Sequence, residues 1–188
     1  MQASYLHSIP SMSSFSLFPS ESKYLAVLEL SGLPIETVPN SIGELFNLKY
    51  LGLDKTNVKI LPKSVTKLHN LETLKLKGAE CVDLPKGFGK LKKLRHLLIY
   101  KWLDRTMSIL KCVETVDPFE GLWSLKDLQT LGVVRASKVF IAKLANLSQL
   151  WTLSIAGVRS VHCAQLCESL SKMHQLSRLQ ITASNENE

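Results

Sequence analysis

Apolar positions along this chain recur in one phrase at a fixed interval. Leu25-x-x-Leu28-x-Leu30 is followed by Leu48-x-x-Leu51-x-Leu53, Leu71-x-x-Leu74-x-Leu76 and Leu94-x-x-Leu97-x-Ile99, in three steps of 23 residues. The end of each phrase alternates apolar and exposed positions with a period of two, as a strand buried on one face requires. Leu51 and Leu53 are therefore predicted to point inward, and Tyr50, Gly52 and Asp54 outward. A second landmark keeps the step, as Val38-Pro39, Leu61-Pro62 and Leu84-Pro85. Proline fixes φ and lacks an amide donor, so the chain turns there. Between the two lie Ile42-x-x-Leu45, Val65-x-x-Leu68 and Phe88-x-x-Leu91, whose spacing of three suits a short 3₁₀ or helical segment. Strand, turn and short helix within one interval bring each new strand back beside the last, in parallel.

Beyond Leu94 the step loosens and the phrase survives. Leu128-x-x-Leu131-x-Val133, Leu150-x-x-Leu153-x-Ile155 and Leu176-x-x-Leu179-x-Ile181 follow at intervals of 34, 22 and 26 residues. Leu122-x-x-Leu125 and Leu144-x-x-Leu147 continue the helical segments. The long step leaves about 11 extra residues near Trp102 to Phe119. A fixed interval of about 20 to 29 residues carrying L-x-x-L-x-L is the leucine-rich-repeat signature. The expected fold class is α/β, a leucine-rich-repeat solenoid that is curved, with a parallel concave sheet and short helical or irregular convex segments. Strands should centre near residues 28, 51, 74, 97, 131, 153 and 179. One coil cannot bury its apolar face alone, so stability is shared between neighbours. Residues 1–23 read as a Ser-rich segment or degenerate first repeat, and 24–184 as the repeat domain, with about seven repeats. Neither end shows the polar cap that closes a solenoid. The sequence accordingly reads as a piece of a longer array, with Leu176, Leu179 and Ile181 at an uncovered end of the core.

At 188 residues and 45% hydrophobic content the chain suffices for one domain with a packed core. Residues 1–22 hold eight serines and no lysine or arginine, which is unlike the basic start of a secretory signal. No apolar run approaches the roughly 18 residues of a membrane span. Cys81, Cys112, Cys163 and Cys167 are scattered with no CxxC pair, suiting free thiols in a reducing compartment, and cytoplasm is the expected location. The net charge of +7 is concentrated in residues 75–111, where ten basic residues face Glu80, Asp83 and Asp104. Lys75, Lys77 and His96 fall on the exposed concave face, flanked by Tyr50 and Tyr100. Lys86, Lys90, Lys92, Lys93 and Arg95 fall mostly on the edge and the convex segment. This face is either an electrostatic docking patch for an acidic protein surface or an ordinary solvated one. Thin aromatic interleaving argues against nucleic acid.

Chemistry is not visible in the pattern. Lys86-Gly87-Phe88-Gly89-Lys90 lacks the G-x-x-x-x-G-K-[ST] arrangement that cradles phosphates, and it falls where the repeat needs a turn. Cys163 and Cys167 could share a helical face with His162 and His174 nearby, but buried structural cysteines are the commoner case. Trp102, Trp123 and Trp151 read as core or edge packing. No nucleophile–base set and no paired carboxylates have a telling spacing. We expect no enzyme, no cofactor and no metal.

Leu48-Lys-Tyr-Leu-Gly-Leu, Thr56-Asn-Val-Lys-Ile-Leu-Pro-Lys-Ser-Val and Leu68-His-Asn-Leu-Glu-Thr-Leu resemble the repeat region of plant intracellular nucleotide-binding leucine-rich-repeat disease-resistance proteins of the coiled-coil class. Lys90-Leu-Lys-Lys-Leu-Arg-His-Leu-Leu-Ile-Tyr100 and Leu122-Trp-Ser-Leu-Lys-Asp-Leu-Gln-Thr-Leu131 look like two further phrases of that family. The resemblance covers about residues 24–183, the irregular step included. It implies a protein-recognition and autoregulatory module of an immune receptor acting in defence against pathogens. The partners it implies are the receptor's own nucleotide-binding domain, a pathogen effector or a guarded host protein. The alternative is a free-standing intracellular scaffold for signalling proteins. No phosphate-binding loop lies within these 188 residues, so ATP or ADP binding is carried over to no position. The ninth position of the phrase shows Thr56 and Ala79 in place of the asparagine ladder of secreted plant receptors, which favours the intracellular class. The expected partner-binding surface is Tyr50, Lys75, Lys77, His96 and Tyr100.

Overall fold

A computed structural model describes residues 23–79, 84–102, 113–114 and 116–183. Its strands are β1 Val27–Glu29, β2 Tyr50–Gly52, β3 Thr73–Lys77, β4 His96–Trp102, β5 Val113–Glu114, β6 Thr130–Arg135, β7 Thr152–Val158 and β8 Arg178–Ala183. Seven of them form one parallel sheet in the order β1-β2-β3-β4-β6-β7-β8. The leucine at the centre of each phrase sets the register. Leu28, Leu51, Leu74, Leu97, Leu131, Leu153 and Leu179 are successive partners across the sheet. Leu51, Leu53, Leu74, Leu76 and Leu97 are fully buried, as the period of two predicts. The candidate degenerate repeat in residues 1–22, Cys81 and Cys112 lie outside the described residues.

The opposite side of each coil is short and tightly stacked. Four 3₁₀ segments, Asn40–Glu44, Lys63–Lys67, Phe88–Lys90 and Leu122–Ser124, follow the turns of the earlier coils. Pro39 and Pro62 stand before the first two in extended backbone. The later coils carry α1 Lys138–Lys143 and α2 Cys163–Ser171. The Ser137 hydroxyl caps α1 by accepting the Phe140 amide at 3.1 Å. The Ser169 hydroxyl donates to the Ile141 carbonyl at 2.8 Å and ties α2 to α1. Thr56, where an asparagine ladder would run, is fully buried and donates to the Leu53 carbonyl at 2.8 Å. It thus satisfies a carbonyl within its own coil.

The long step between the fourth and fifth phrases departs from expectation. Pairing of β4 with β6 stops after Leu97↔Leu131. β5 pairs antiparallel with Lys101 and Trp102 at the end of β4. Val116 forms a parallel bridge to Val134 and is itself buried. The Val116 amide donates to the Val133 carbonyl at 3.2 Å, and the Arg135 amide donates to Val116 at 3.0 Å. The inserted segment therefore contributes two short pairings and a core side chain. This also corrects the fifth phrase: the register shifts between Leu131 and Val133, and Val134, not Val133, is the buried residue. A Cβ on Gly132 would meet the Ile99 backbone at 2.6 Å, so the strand bulges where two backbones touch.

Two further expectations are corrected. Cys163 and Cys167 are exposed free thiols on α2, not buried structural cysteines. Trp151 is 61% exposed and immediately precedes β7, outside its alternating pattern. Trp123 does pack, with its ring 5.7 Å from that of Phe140. At the last coil Leu179 is 39% and Ile181 44% exposed, whereas their β7 partners Leu153 and Ile155 are at most 1% exposed. No helix among the described residues is long and apolar enough to cross a membrane.

The concave face as a candidate protein-binding site

Because the first steps are equal, outward residues of successive strands align in rows. Val27, Tyr50, Thr73, His96 and Thr130 form one row. Glu29, Gly52, Lys75 and Leu98 form the next, and Lys77 stands opposite Tyr100 in a third. Tyr50, Lys75, Lys77, His96 and Tyr100 all sit half-buried on this face. They span three adjacent strands, β2, β3 and β4, at the strand separation of about 4.8 Å.

Side chains on this face are coupled to one another. The Tyr50 hydroxyl donates to Glu29 Oε2 at 2.5 Å, and Lys75 Nζ stands 5.1 Å from the centre of the Tyr50 ring, within cation–π range. Gly52 makes this possible, since a Cβ there would collide with the Glu29 carboxyl lying across it. Asp54 accepts the Lys77 amide at 2.7 Å, and its own amide donates to Ser31 Oγ at 3.0 Å.

The electrostatics follow from these contacts. Burial pushes the Glu29 carboxyl up, but hydrogen bonds from Ser31 and Tyr50 outweigh it and hold the group below its ordinary value. Burial, then the bond to Glu29, raises the Tyr50 phenol. The Tyr50 hydroxyl, helped by Asp54 and Glu29, raises the Lys75 ammonium. Burial raises Asp54, although the Lys77 amide works against it. Burial, with a smaller push from Asp54, also raises Tyr100. The face thus sets two acidic side chains, Glu29 and Asp54, beside its two lysines. It is mixed in charge, where sequence alone suggested a basic patch.

His96 is the pH-sensitive member. Burial and the nearby Arg95 hold its imidazole below the usual histidine value, and Nδ1 lies 3.0 Å from Thr130 Oγ1. The unfolded chain then binds a proton more readily than the folded one, so stability rises with pH in that window. Stability should be full above the ordinary histidine value of about 6.5 and fall as pH drops through the depressed folded value. His96→Gln should flatten this part of the curve. Chemical denaturation from pH 7.5 to 5 would check it, and an unchanged slope would remove His96 as the source.

Glu29, Asp54 and Leu98 belong to this face and were not on the predicted surface. The equal steps could have found them, since Glu29, Gly52, Lys75 and Leu98 are 23 residues apart in turn. Among the described residues no group of three His, Cys, Asp or Glu side chains is placed to hold a metal. His162 is buried, and its Nδ1 accepts the Arg159 amide at 3.3 Å.

Seven parallel strands with one leucine in register on each, and short convex segments, are one side of the comparison with known proteins. The other is a family model described as "Leucine-rich repeat region", which matches residues 5–188. The chain belongs to the leucine-rich repeat region family. Among curated leucine-rich-repeat relatives, it is 38% identical over 96 residues to "Disease resistance protein RPM1" of Arabidopsis thaliana. That match covers 51% of this chain and 10% of the plant protein, so the chain spans about a tenth of that relative's length. The plant resemblance noted in the repeat phrases thus has a named counterpart. Among solved structures, a leucine-rich-repeat protein of Leptospira interrogans superposes with a TM-score of 0.65 at 24% identity, over 87% of this chain and 39% of that one. An internalin of Listeria monocytogenes superposes at 0.60 with 19% identity, over 87% and 44% of the two chains. At such identity these two bear on the leucine-rich-repeat fold alone.

Proposed function

We propose that this chain is the protein-recognition and autoregulatory module of a plant intracellular immune receptor, acting in defence against pathogens from the cytoplasm. The observation that carries this reading is the similarity to a plant disease-resistance protein over half the chain. The concave face supports it. Tyr50 and Tyr100 offer large contact area at low entropic cost, and Leu98 adds an apolar centre between charged neighbours. Such a face binds protein, not a small substrate: it is broad and lacks a nucleophile–base pair. The partners are the receptor's own nucleotide-binding domain, a pathogen effector or a guarded host protein. Because Glu29 and Asp54 lie beside Lys75 and Lys77, the matching surface carries both signs of charge. An acidic group there meets the lysines, and a donor meets the carboxylates.

Reversing Lys75 and Lys77 to glutamate turns a balanced face into one with four carboxylates. Both side chains are half-exposed, so the fold should survive. Association with a partner that places acid against these lysines should slow by about tenfold or more at low salt, with its salt dependence altered. In the receptor context the same change should abolish the pathogen response or produce activity without a pathogen. Unchanged signalling and unchanged association rates would reduce this face to ordinary solvated surface.

A further inference from the structure

The 23-residue step organises the convex side as well, and there it builds a trough. Asn40, Lys63 and Lys86 are successive equivalents, as are Glu44, Lys67 and Lys90. Between these rows of longer side chains run Ser41, Ser64 and Gly87, also 23 apart. The result is an open groove of about 550 Å³ lined by Ser41, Lys63, Ser64, Lys67, His69 and Lys90, and by Glu44. That volume lies in the range of small-molecule sites. Gly43 lets the coils close beneath it, since a Cβ there would lie 2.7 Å from the Ser64 carbonyl.

Two independent features single out this groove. The first is uncompensated charge. Lys92, Lys93 and Lys126 each donate from Nζ to an acceptor on a neighbouring coil. Among the described residues, the ammonium groups of Lys63, Lys67 and Lys90 have no ion-pair partner. Three lysines thus face a single carboxylate. The second is the Ser64 hydroxyl, the one buried side-chain polar atom among the described residues with no hydrogen-bond partner. A buried hydroxyl without an acceptor destabilises a fold, so its retention beside free cations is a reason to look for an acceptor from outside.

From these we infer that the convex groove binds a small polyanion carrying two or more phosphate groups. Lysine ammoniums act on phosphate as point charges and accept several geometries. One carboxylate would leave most of the positive charge unbalanced, whereas linked phosphates supply enough negative oxygens for three lysines and the hydroxyls of Ser41 and Ser64. The site lies on the face opposite the concave sheet and is independent of the recognition role proposed for it.

Calorimetric titration of the full chain with tripolyphosphate tests this. One-to-one saturable binding is expected, about tenfold weaker in Lys63→Gln/Lys67→Gln and nearly unchanged in Lys138→Gln/Lys143→Gln, which removes equal charge from α1. Ser64→Ala should weaken binding while raising the thermal midpoint of the free chain, because it removes an unpaired buried hydroxyl. Citrate should bind much less tightly than tripolyphosphate. Absence of saturation would overturn the proposal, as would equal weakening by both lysine pairs, which would make the net charge the cause. Equal affinity for citrate would overturn the phosphate assignment. A Ser64→Ala variant with unchanged affinity would also overturn the proposal, since the unpaired hydroxyl is one of its two grounds.

Discussion

Leu74→Ala should destabilise the chain by about 2–5 kcal/mol. Leu74 is fully buried and sits in β3, paired with Leu51 on one side and Leu97 on the other. Removing its branched end forfeits transfer free energy and leaves a cavity that two packed coils cannot close. Leu179→Ala should cost clearly less, because Leu179 is already 39% exposed on the last strand. Urea denaturation of both variants checks the ranking. A change below ~0.5 kcal/mol at Leu74 would place that residue outside the core.

Gly89→Ala should cost about 1–3 kcal/mol, against the trend of local preference. Gly89 lies in a 3₁₀ segment and is not among the residues with positive φ. Alanine would on conformational grounds be favoured there by roughly 0.5–1 kcal/mol. Packing decides the sign. A Cβ would lie 2.5 Å from the Gly121 carbonyl oxygen and 2.7 Å from its Cα. Those atoms are backbone of the next coil, and they cannot swing away as a side chain would. The third and fourth coils must therefore separate, loosening the contact of Phe88 with Phe119, whose ring centres are 5.5 Å apart. Thermal unfolding of Gly89→Ala checks this, and an increase in stability would show that the coils have room to spare.

Much of the architecture was legible because the repeat obeys one rule many times. Three equal steps imply that Leu51, Leu74 and Leu97 are neighbours, and they are paired as such. Inward and outward positions on β2, β3 and β4 follow from the period of two, and so does the placement of Tyr50, Lys75, Lys77, His96 and Tyr100 on one face. The balance of charge on that face was less legible. Glu29 reaches Tyr50 because the intervening Gly52 has no side chain, a fact that counts only once strands are laid side by side. Lysines counted along the chain look like a basic patch. The same lysines, counted across the sheet, have acidic neighbours.

The sequence by itself determined the repeat, the parallel order of the strands, the identity of the core leucines and the family. Each of these depends on periodic burial, which local spacing encodes directly. Only the tertiary structure decided the features where periodicity breaks or where coils meet. Val134 replaces Val133 in the core because Gly132 touches the Ile99 backbone and Val116 pairs alongside. Trp151 is exposed, and the convex groove exists because short residues stack between long ones on successive coils. These outcomes are set by contacts between residues far apart in the chain, and a contact between two coils has no counterpart in the spacing of either one.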